Sequence, residues 1–548
     1  MAAIFYVPEA FTTQTNKLMG RNAAGESFLR AYVQYSQDPE FHILVANEEH
    51  AKPFAEILQA HNRHEPLNVA TFASLERLAK AGTLFMSGPG LGSYAWQRNY
   101  FGSNAWSLCG ITHTTSSARI MEALTDFITA PIEPWDALIC TSNAVKTNVT
   151  NILQAQVDYL QERLGMSKLV LPQMPVIPLG IHSQDFNFAP EGKVAARKAL
   201  GLEDDTIAVL FMGRLSFHAK AHPLPMYQAL EEASQITKQK IVLLLCGWYA
   251  NKSIEDAFNA TAKEFLPHVR VLTLNGIDKT TRNVAWASAD IFCSLADNFQ
   301  ESFGLTPIEA MAAGLPVIVS DWDGYKETVR QNIDGFRVST TMPEPHLGQH
   351  IAKRYAFEID NYDLYSGISS NFVAVDVAET CQAFVSLINS KELRQKMGTA
   401  GQKRAQEVYD WSKIIPAYGR LWQDLDTLRK QHNSTAKANP WPAHLSPYKS
   451  YTAYPTRTLK AEHSLALVDN DLYSAKASLT KVYHLPMVHA LSPTLPTFAE
   501  LTQILECIGP NSTQVKDIVG RFPQRRQNLI WLSLTWFLKF NLLKIVQA

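Results

Sequence analysis

The chain has 548 residues, 46% of them hydrophobic and 18% charged, and carries a net charge of −1. This length exceeds a single core and predicts several domains. The balanced charge excludes a global field that would gather nucleic acid or an anionic membrane.

The opening residues, MAAIFYVPEAF, lack the basic-then-apolar plan of a signal peptide. The six cysteines stand far apart, with no Cys-x-x-Cys pair, and several sit in apolar runs such as IVLLLCG. They read as reduced core residues of a cytosolic protein. No apolar stretch approaches the ~20 residues that span a bilayer. Short apolar runs alternate with helical patterns: IFYV, FHILVA, GTLFMSG, WDALICTS, PVIPLG, IAVLFMG, IVLLLCG, RVLTLNG, ADIFCSL and LPVIVS. That is the βαβ signature of parallel sheets buried on both faces. There are too many strands for one small sheet. The seam falls near DFNFAPEGKVAARKALGLEDD, giving α/β domains over 1–190 and 191–400.

In the first domain, MGRNAAGESFLRAY places Gly20 and Gly25 ahead of an amphipathic helix. The spacing is not Gly-x-Gly-x-x-Gly, so a helix-initiating turn competes evenly with a phosphate or acceptor loop. His113, in GITHTTSSARIM, follows an apolar stretch, where a lone histidine is usually structural. In the second domain, LFMGRLSFHAKAHP follows a strand and brings Gly213, Arg214 and Lys220 together. Two cations there suit a diphosphate clamp, with solvated surface charges as the plainer alternative.

The stretch NFQESFGLTPIEAMAAGLPVIVS carries Glu301 and Glu309. Thr306 suits an N-cap, Pro307 the first helical position and Glu309 the third, a capping box. Yet this helix follows a strand and a glycine-bearing loop, and open α/β sheets bind ligands beyond their strand ends. The amides of Phe303, Gly304, Leu305 and Thr306 would then face the crevice at a positive helix end suited to phosphate. Glu309 would meet neutral hydroxyls such as a ribose diol, and Glu301 a second polyol.

ESFGLTPIEAMAAGLPVIVSDWDGYKETV resembles the Glu-x7-Glu motif of retaining glycosyltransferases of family 4, which have the GT-B fold. Both glutamates, the Phe-Gly-Leu between them, the Glu-Ala-Met-Ala-x-Gly-x-Pro-Val run and Glu327 recur in order. The resemblance covers roughly 1–430, most clearly 207–338. It implies two Rossmann-like domains facing a cleft and transfer of a sugar from a nucleotide-sugar donor to an acceptor hydroxyl, in glycan or glycoconjugate synthesis. It implies that Glu309 holds the nucleotide ribose, and Glu301 the transferred sugar near its reacting carbon. Arg214, Lys220, Gly213 and the 303–306 amides would bind the donor diphosphate. His113 would face the sugar across the cleft, and the Gly20–Gly25 loop would approach phosphates or acceptor. VLTLNG (271–276) is a candidate edge for the base.

The family uses no metal, so the Asp-x-Asp matches at Asp321–Asp323 and Asp469–Asp471 are set aside, and no cofactor is expected beyond the nucleotide-sugar. The acceptor would be a glycan, a lipid-linked glycan or another hydroxyl. A peripheral contact with the inner membrane face is left open. A non-catalytic nucleotide-sugar sensor and an epimerase on the same scaffold are the rivals.

The sequence departs from the pattern at His182, where an aspartate is common, and at a longer segment, 341–367. Residues 401–432 read as helical, returning toward the first domain. Residues 433–494 are rich in Pro, Ser and Tyr and read as a linker or surface wrap. Residues 495–548 read as a small, mainly helical, winged-helix-like module. Its aromatic third helix favours packing, oligomerisation or acceptor guidance over nucleic-acid binding, with Ser512 or Thr513 capping the second helix and Asn541 at a left-handed position.

Overall fold

A computed structural model describes residues 1–13, 20–432, 440–469 and 471–546. The chain divides into two compact units, Met1–Trp441 and Pro442–Ala548. The first unit holds two six-stranded sheets. One contains β1 (Ala3–Phe5), β2 (Phe41–Val45), β3 (Leu67–Thr71), β4 (Thr83–Phe85), β5 (Ser107–Ile111) and β6 (Ala137–Ile139), in the order β3-β2-β1-β4-β5-β6. The other contains β7 (Ile207–Met212), β8 (Ile241–Gly247), β9 (Arg270–Asn275), β10 (Ile291–Ser294), β11 (Val317–Ser320) and β12 (Gly335–Val338), in the order β12-β11-β10-β7-β8-β9. Neighbouring strands are parallel. Both sheets are therefore doubly wound, with a topological switch point between β1 and β4 and another between β7 and β10. β2, β7 and β8 are buried along their whole length, which is why they read as unbroken apolar runs.

The helices that position the site are α1 (Gly20–Tyr35), α2 (Asn143–Leu164), α3 (Lys279–Ser288) and α4 (Leu305–Ala312). After β12 the chain makes an excursion: β13 (Thr340–Thr341), α5 (Gln349–Ala356), α6 (Tyr362–Ser370) and β14 (Ala374–Val375), with β13 and β14 antiparallel at its base. Helix α7 (Trp411–Gln431) returns to the first sheet. There Trp411 Nε1 donates to Ser27 Oγ at 2.7 Å, and Tyr418 and Trp422 pack on Phe28 and Phe85.

An ion pair braces the first sheet from inside. Arg98 and Asp136 are fully buried and joined through both carboxylate oxygens, at 2.5 and 3.0 Å. Arg98 also donates to the carbonyls of Trp106 and Pro131, and Asp136 accepts the amides of Leu108 and Glu133. These backbone partners repay much of the cost of burying two charges.

The second unit has its own apolar core, which includes Leu465, Leu479, Leu501, Val515 and Phe537. Its sheet and core-forming elements are β15 (Ser464–Leu467), α8 (Leu472–Tyr483), α9 (Phe498–Glu506), β16 (Thr513–Gln514), α10 (Val515–Val519), α11 (Gln527–Lys539) and β17 (Leu543–Val546). The sheet order is β16-β15-β17, antiparallel. Two readings change here. Residues 464–483, read as linker, supply the central strand and a core helix; residues 433–439 lie outside the described residues. Gln514 precedes α10 and Thr513 lies in β16, so neither Ser512 nor Thr513 caps that helix. Asn541 takes the left-handed conformation, at φ +57°. Among the described residues, no helix is long and apolar enough to cross a membrane.

Candidate active site

The β7/β10 switch point gathers the candidate residues of the second half. Gly213 and Arg214 directly follow β7, and the loop from Leu295 to Gly304 directly follows β10. Gly213 has φ +147°, a conformation that L side chains rarely adopt, and a Cβ there would lie 3.5 Å from Lys220 Cε. Lys220 Nζ pairs with Glu301 Oε2, with side chains 20% and 11% exposed. Burial works against the Lys220 charge, but the adjacent Glu301 carboxylate more than offsets it and holds the ammonium above the ordinary lysine range. The Tyr325 hydroxyl lies 3.5 Å from the same Glu301 oxygen and 3.0 Å from Ser294 Oγ. Arg214 donates to Ala219 O at 2.8 Å and to Gln300 Oε1 at 3.4 Å. Burial lowers its pKa, with Asp363 opposing.

Helix α4 starts earlier than the capping reading requires. Its N-cap is Gly304, at φ +85°, rather than Thr306, and no side chain caps it. A Cβ on Gly304 would lie 1.9 Å from Tyr325 Cε1, so the backbone turn and the tyrosine both demand glycine. Thr306 is thus the second helical residue and its Oγ1 is buried without a hydrogen bond, so the Thr306–Glu309 capping box is not formed. The first-turn amides of any helix lack intrahelical partners, and here Leu305 and Thr306 supply them, with buried Phe303 just outside. Glu309 is part-buried on this helix. Burial pushes its carboxyl up to about 7, with Arg282 of α3 and Lys220 pulling it back down.

Residues 193–353 match the family of glycosyl transferases group 1. This stretch is a group 1 glycosyltransferase domain. A phosphatidyl-myo-inositol mannosyltransferase of Mycobacterium leprae is 26% identical over 252 residues, 46% of this chain and 54% of that protein. A D-inositol 3-phosphate glycosyltransferase of Kribbella flavida is 27% identical over 164 residues, 28% of this chain and 36% of that protein. The chain thus spans about half, or less, of these curated relatives. Among solved structures, Anabaena HepE in complex with UDP aligns over 77% of this chain and 99% of its own, with TM-score 0.50 and 14% identity. A glycosyltransferase of Rickettsia africae aligns over 79% and 99%, with TM-score 0.51 and 13% identity. These likenesses, with the two doubly wound sheets, make the fold GT-B.

The group 1 domain meets the first half at the N-terminus of α2. Ser142 caps that helix through Val145 N and also donates to Asp323 Oδ1 at 3.1 Å. Asn143 donates its amide and Nδ2 to Glu327 at 2.6 and 3.0 Å. Two carboxylates of the group 1 domain therefore face a positive helix end in the other half. Burial, followed by the nearby Glu301, raises the Asp323 carboxyl to about 8. Asp321 pairs with Arg337 at 3.3 Å, so the two aspartates of this Asp-x-Asp face different partners.

In the first half, His113 Nε2 lies 3.1 Å from Ser87 O, which ties the loop after β5 to the loop after β4. Gly20 and Gly25 do not form a loop ahead of a helix. Gly20 is the first residue of α1 and Gly25 lies within it, where a Cβ would come 2.2 Å from Ala10 O. Gly25 is thus a close-packing residue. The 271–276 edge is β9, the outermost strand beside β8, and with Gly247 and Trp248 it lines an open depression.

Sequence reasoning missed Tyr325, Gln300 and Arg282. Tyr325 sits inside the quoted motif, but its contact with Glu301 spans 24 residues and needs the turn at Gly304.

Proposed function

We propose that the chain is a retaining, metal-independent glycosyltransferase that moves a sugar from a nucleotide-sugar donor to an acceptor hydroxyl. The observation that carries this is the Lys220–Glu301 pair at the β7/β10 switch point, beside Arg214 and the uncapped N-terminus of α4. The relatives' names and the UDP held by the HepE structure support it. The donor diphosphate lies against Lys220, Arg214 and the α4 amides, which neutralise the charge of the leaving group. Lys220 then exchanges Glu301 for phosphate, which frees the Glu301 carboxylate for hydroxyls of the sugar. Glu309 takes the ribose diol. The bond from the sugar's anomeric carbon to the phosphate oxygen breaks. A bond from that carbon to the acceptor oxygen forms on the same face, and the acceptor proton passes to the departing phosphate oxygen. The acceptor is a glycan, a lipid-linked glycan or another hydroxyl.

The test is incubation with a panel of nucleotide-sugars and hydroxyl acceptors in excess EDTA. The expected result is nucleoside diphosphate release together with a product of unchanged anomeric configuration. Donor binding without release in any pairing would leave only a sensor. An inverted product would remove the retaining assignment, and activity restored only by manganese would remove metal independence.

A further inference from the structure

Residues 341–367 are the longer segment that departs from the family pattern, and the group 1 match ends within them, at residue 353. They form most of the excursion from β13 to β14, whose base is pinned by the pairs Thr340–Val375 and Thr341–Ala374. Tyr355 of α5 and Tyr365 of α6 stack with ring centroids 4.2 Å apart.

The polar groups of this hairpin reach two places. In the first half they reach the loop that carries His113. The Tyr362 hydroxyl lies 2.9 Å from Ser116 Oγ and 3.1 Å from Thr114 Oγ1, and the Tyr355 hydroxyl accepts the Ala118 amide at 2.9 Å. In the second half they reach the candidate clamp. Ser366 Oγ accepts from Gln300 Nε2 at 3.3 Å, and Gln300 Oε1 in turn accepts from Arg214 at 3.4 Å. Gly367 packs so closely on His218 that a Cβ there would lie 2.9 Å from His218 Cβ.

Resting on the function proposed above, we propose that this hairpin is a strap across the two halves and that Tyr355 and Tyr362 are positioning residues for transfer. They hold the loop bearing His113 to the second half. Ser366 and Gln300, at the other end of the strap, hold Arg214 for the diphosphate. A surface insertion without such a role needs only its tyrosine rings and would leave their hydroxyls to water. Here both hydroxyls bond to the opposite half. Bonds between neutral groups are weak enough to break for substrate entry and remake for closure. A closed loop also excludes water, so the sugar passes to the acceptor rather than to hydrolysis.

The experiment uses the full chain with Tyr355→Phe, Tyr362→Phe and the double variant, since phenylalanine keeps the rings and removes only the hydroxyls. With the donor identified by the panel, kcat of the double variant should fall about tenfold, as expected for loosened positioning. Donor KM should hold within about twofold, hydrolysis should rise relative to transfer, and the melting temperature should not move. Separately, exchange of the Ala118 amide should quicken in Tyr355→Phe. Wild-type kcat and partition in the double variant would overturn the strap. So would an activity loss that tracks a fall in melting temperature, which marks a structural prop. If the unaltered chain turns over no donor, the proposed function fails instead. Ala118 exchange, read with and without uridine diphosphate, then decides the strap: unchanged exchange in Tyr355→Phe removes it.

Discussion

Two ion pairs in the first unit look alike in sequence and differ in kind. Arg98–Asp136 is fully buried, and backbone carbonyls and amides on both sides take up its remaining hydrogen-bonding groups except Arg98 Nε. Lys220–Glu301 is part-exposed at a sheet's switch point. Apart from the 3.5 Å approach of Tyr325, its partners among the described residues are chiefly each other. A buried pair held by backbone partners on both sides is a brace. A pair with spare donors and acceptors beside an uncapped helix is a place where a ligand substitutes for one partner.

Breaking the brace should have the largest effect. Asp136→Ala leaves a buried guanidinium uncompensated and should cost about 3–5 kcal/mol of unfolding free energy by urea titration. Nucleoside diphosphate affinity per folded molecule should stay unchanged. Breaking the exchangeable pair should do the reverse. Lys220→Ala should weaken nucleoside diphosphate binding by about 1.5–3 kcal/mol, the value of a hydrogen bond to a charged group. It should change stability far less. Titration calorimetry with the diphosphate and with the bare nucleoside checks this, and equal losses for both ligands would refute the phosphate assignment.

A pH series sharpens the contrast. Burial raises the carboxyls of Asp297 and Glu309 to about 7 and that of Asp323 to about 8. All three bind protons more tightly folded than unfolded. The stability they contribute is fully present below their unfolded values and is lost as pH rises through about 7–8. The contribution of these three groups to the unfolding free energy should therefore fall between about pH 5 and about pH 8, and Glu309→Gln should remove its part of that fall relative to wild type. A wild-type slope in Glu309→Gln would mean that Glu309 is not held neutral by burial.

The sequence carried the sheets because strands buried on both faces leave unbroken apolar runs, as in β7 and β8. It carried Glu301, Arg214 and Lys220 because they sit at strand ends, where doubly wound sheets bind ligands. The Thr306–Glu309 capping box misled because Gly304, in a left-handed turn against Tyr325, starts the helix ahead of Thr306. The second unit's central strand was hidden because β15 is four residues long and follows a Pro- and Tyr-rich stretch. The strap was visible only as a departure from pattern, since contacts such as Tyr362 with Ser116, 246 residues apart, leave no local trace.

The smallest expected effect concerns the second unit. Every candidate residue of the site lies within Met1–Trp441, and Pro442–Ala548 closes its own core around Leu465, Leu501 and Phe537. A unit that closes its own core and supplies no candidate residue acts independently of the site, so removing 442–548 should leave nucleoside diphosphate affinity of the soluble fraction within about twofold. The unit also tests the nucleic-acid alternative. A winged-helix reader needs a basic, exposed third helix. The exposed positions of α11 are Asn528, Leu532, Thr535 and Lys539, with a single cation among them. Arg526, just before the helix, is held by Glu500 at 2.7 Å. The isolated unit should therefore unfold cooperatively on its own and show no salt-sensitive, sequence-selective affinity for duplex DNA in a fluorescence anisotropy titration. Tight duplex binding that falls steeply with salt would reverse this and give the second unit, rather than the cleft, the chain's recognition role.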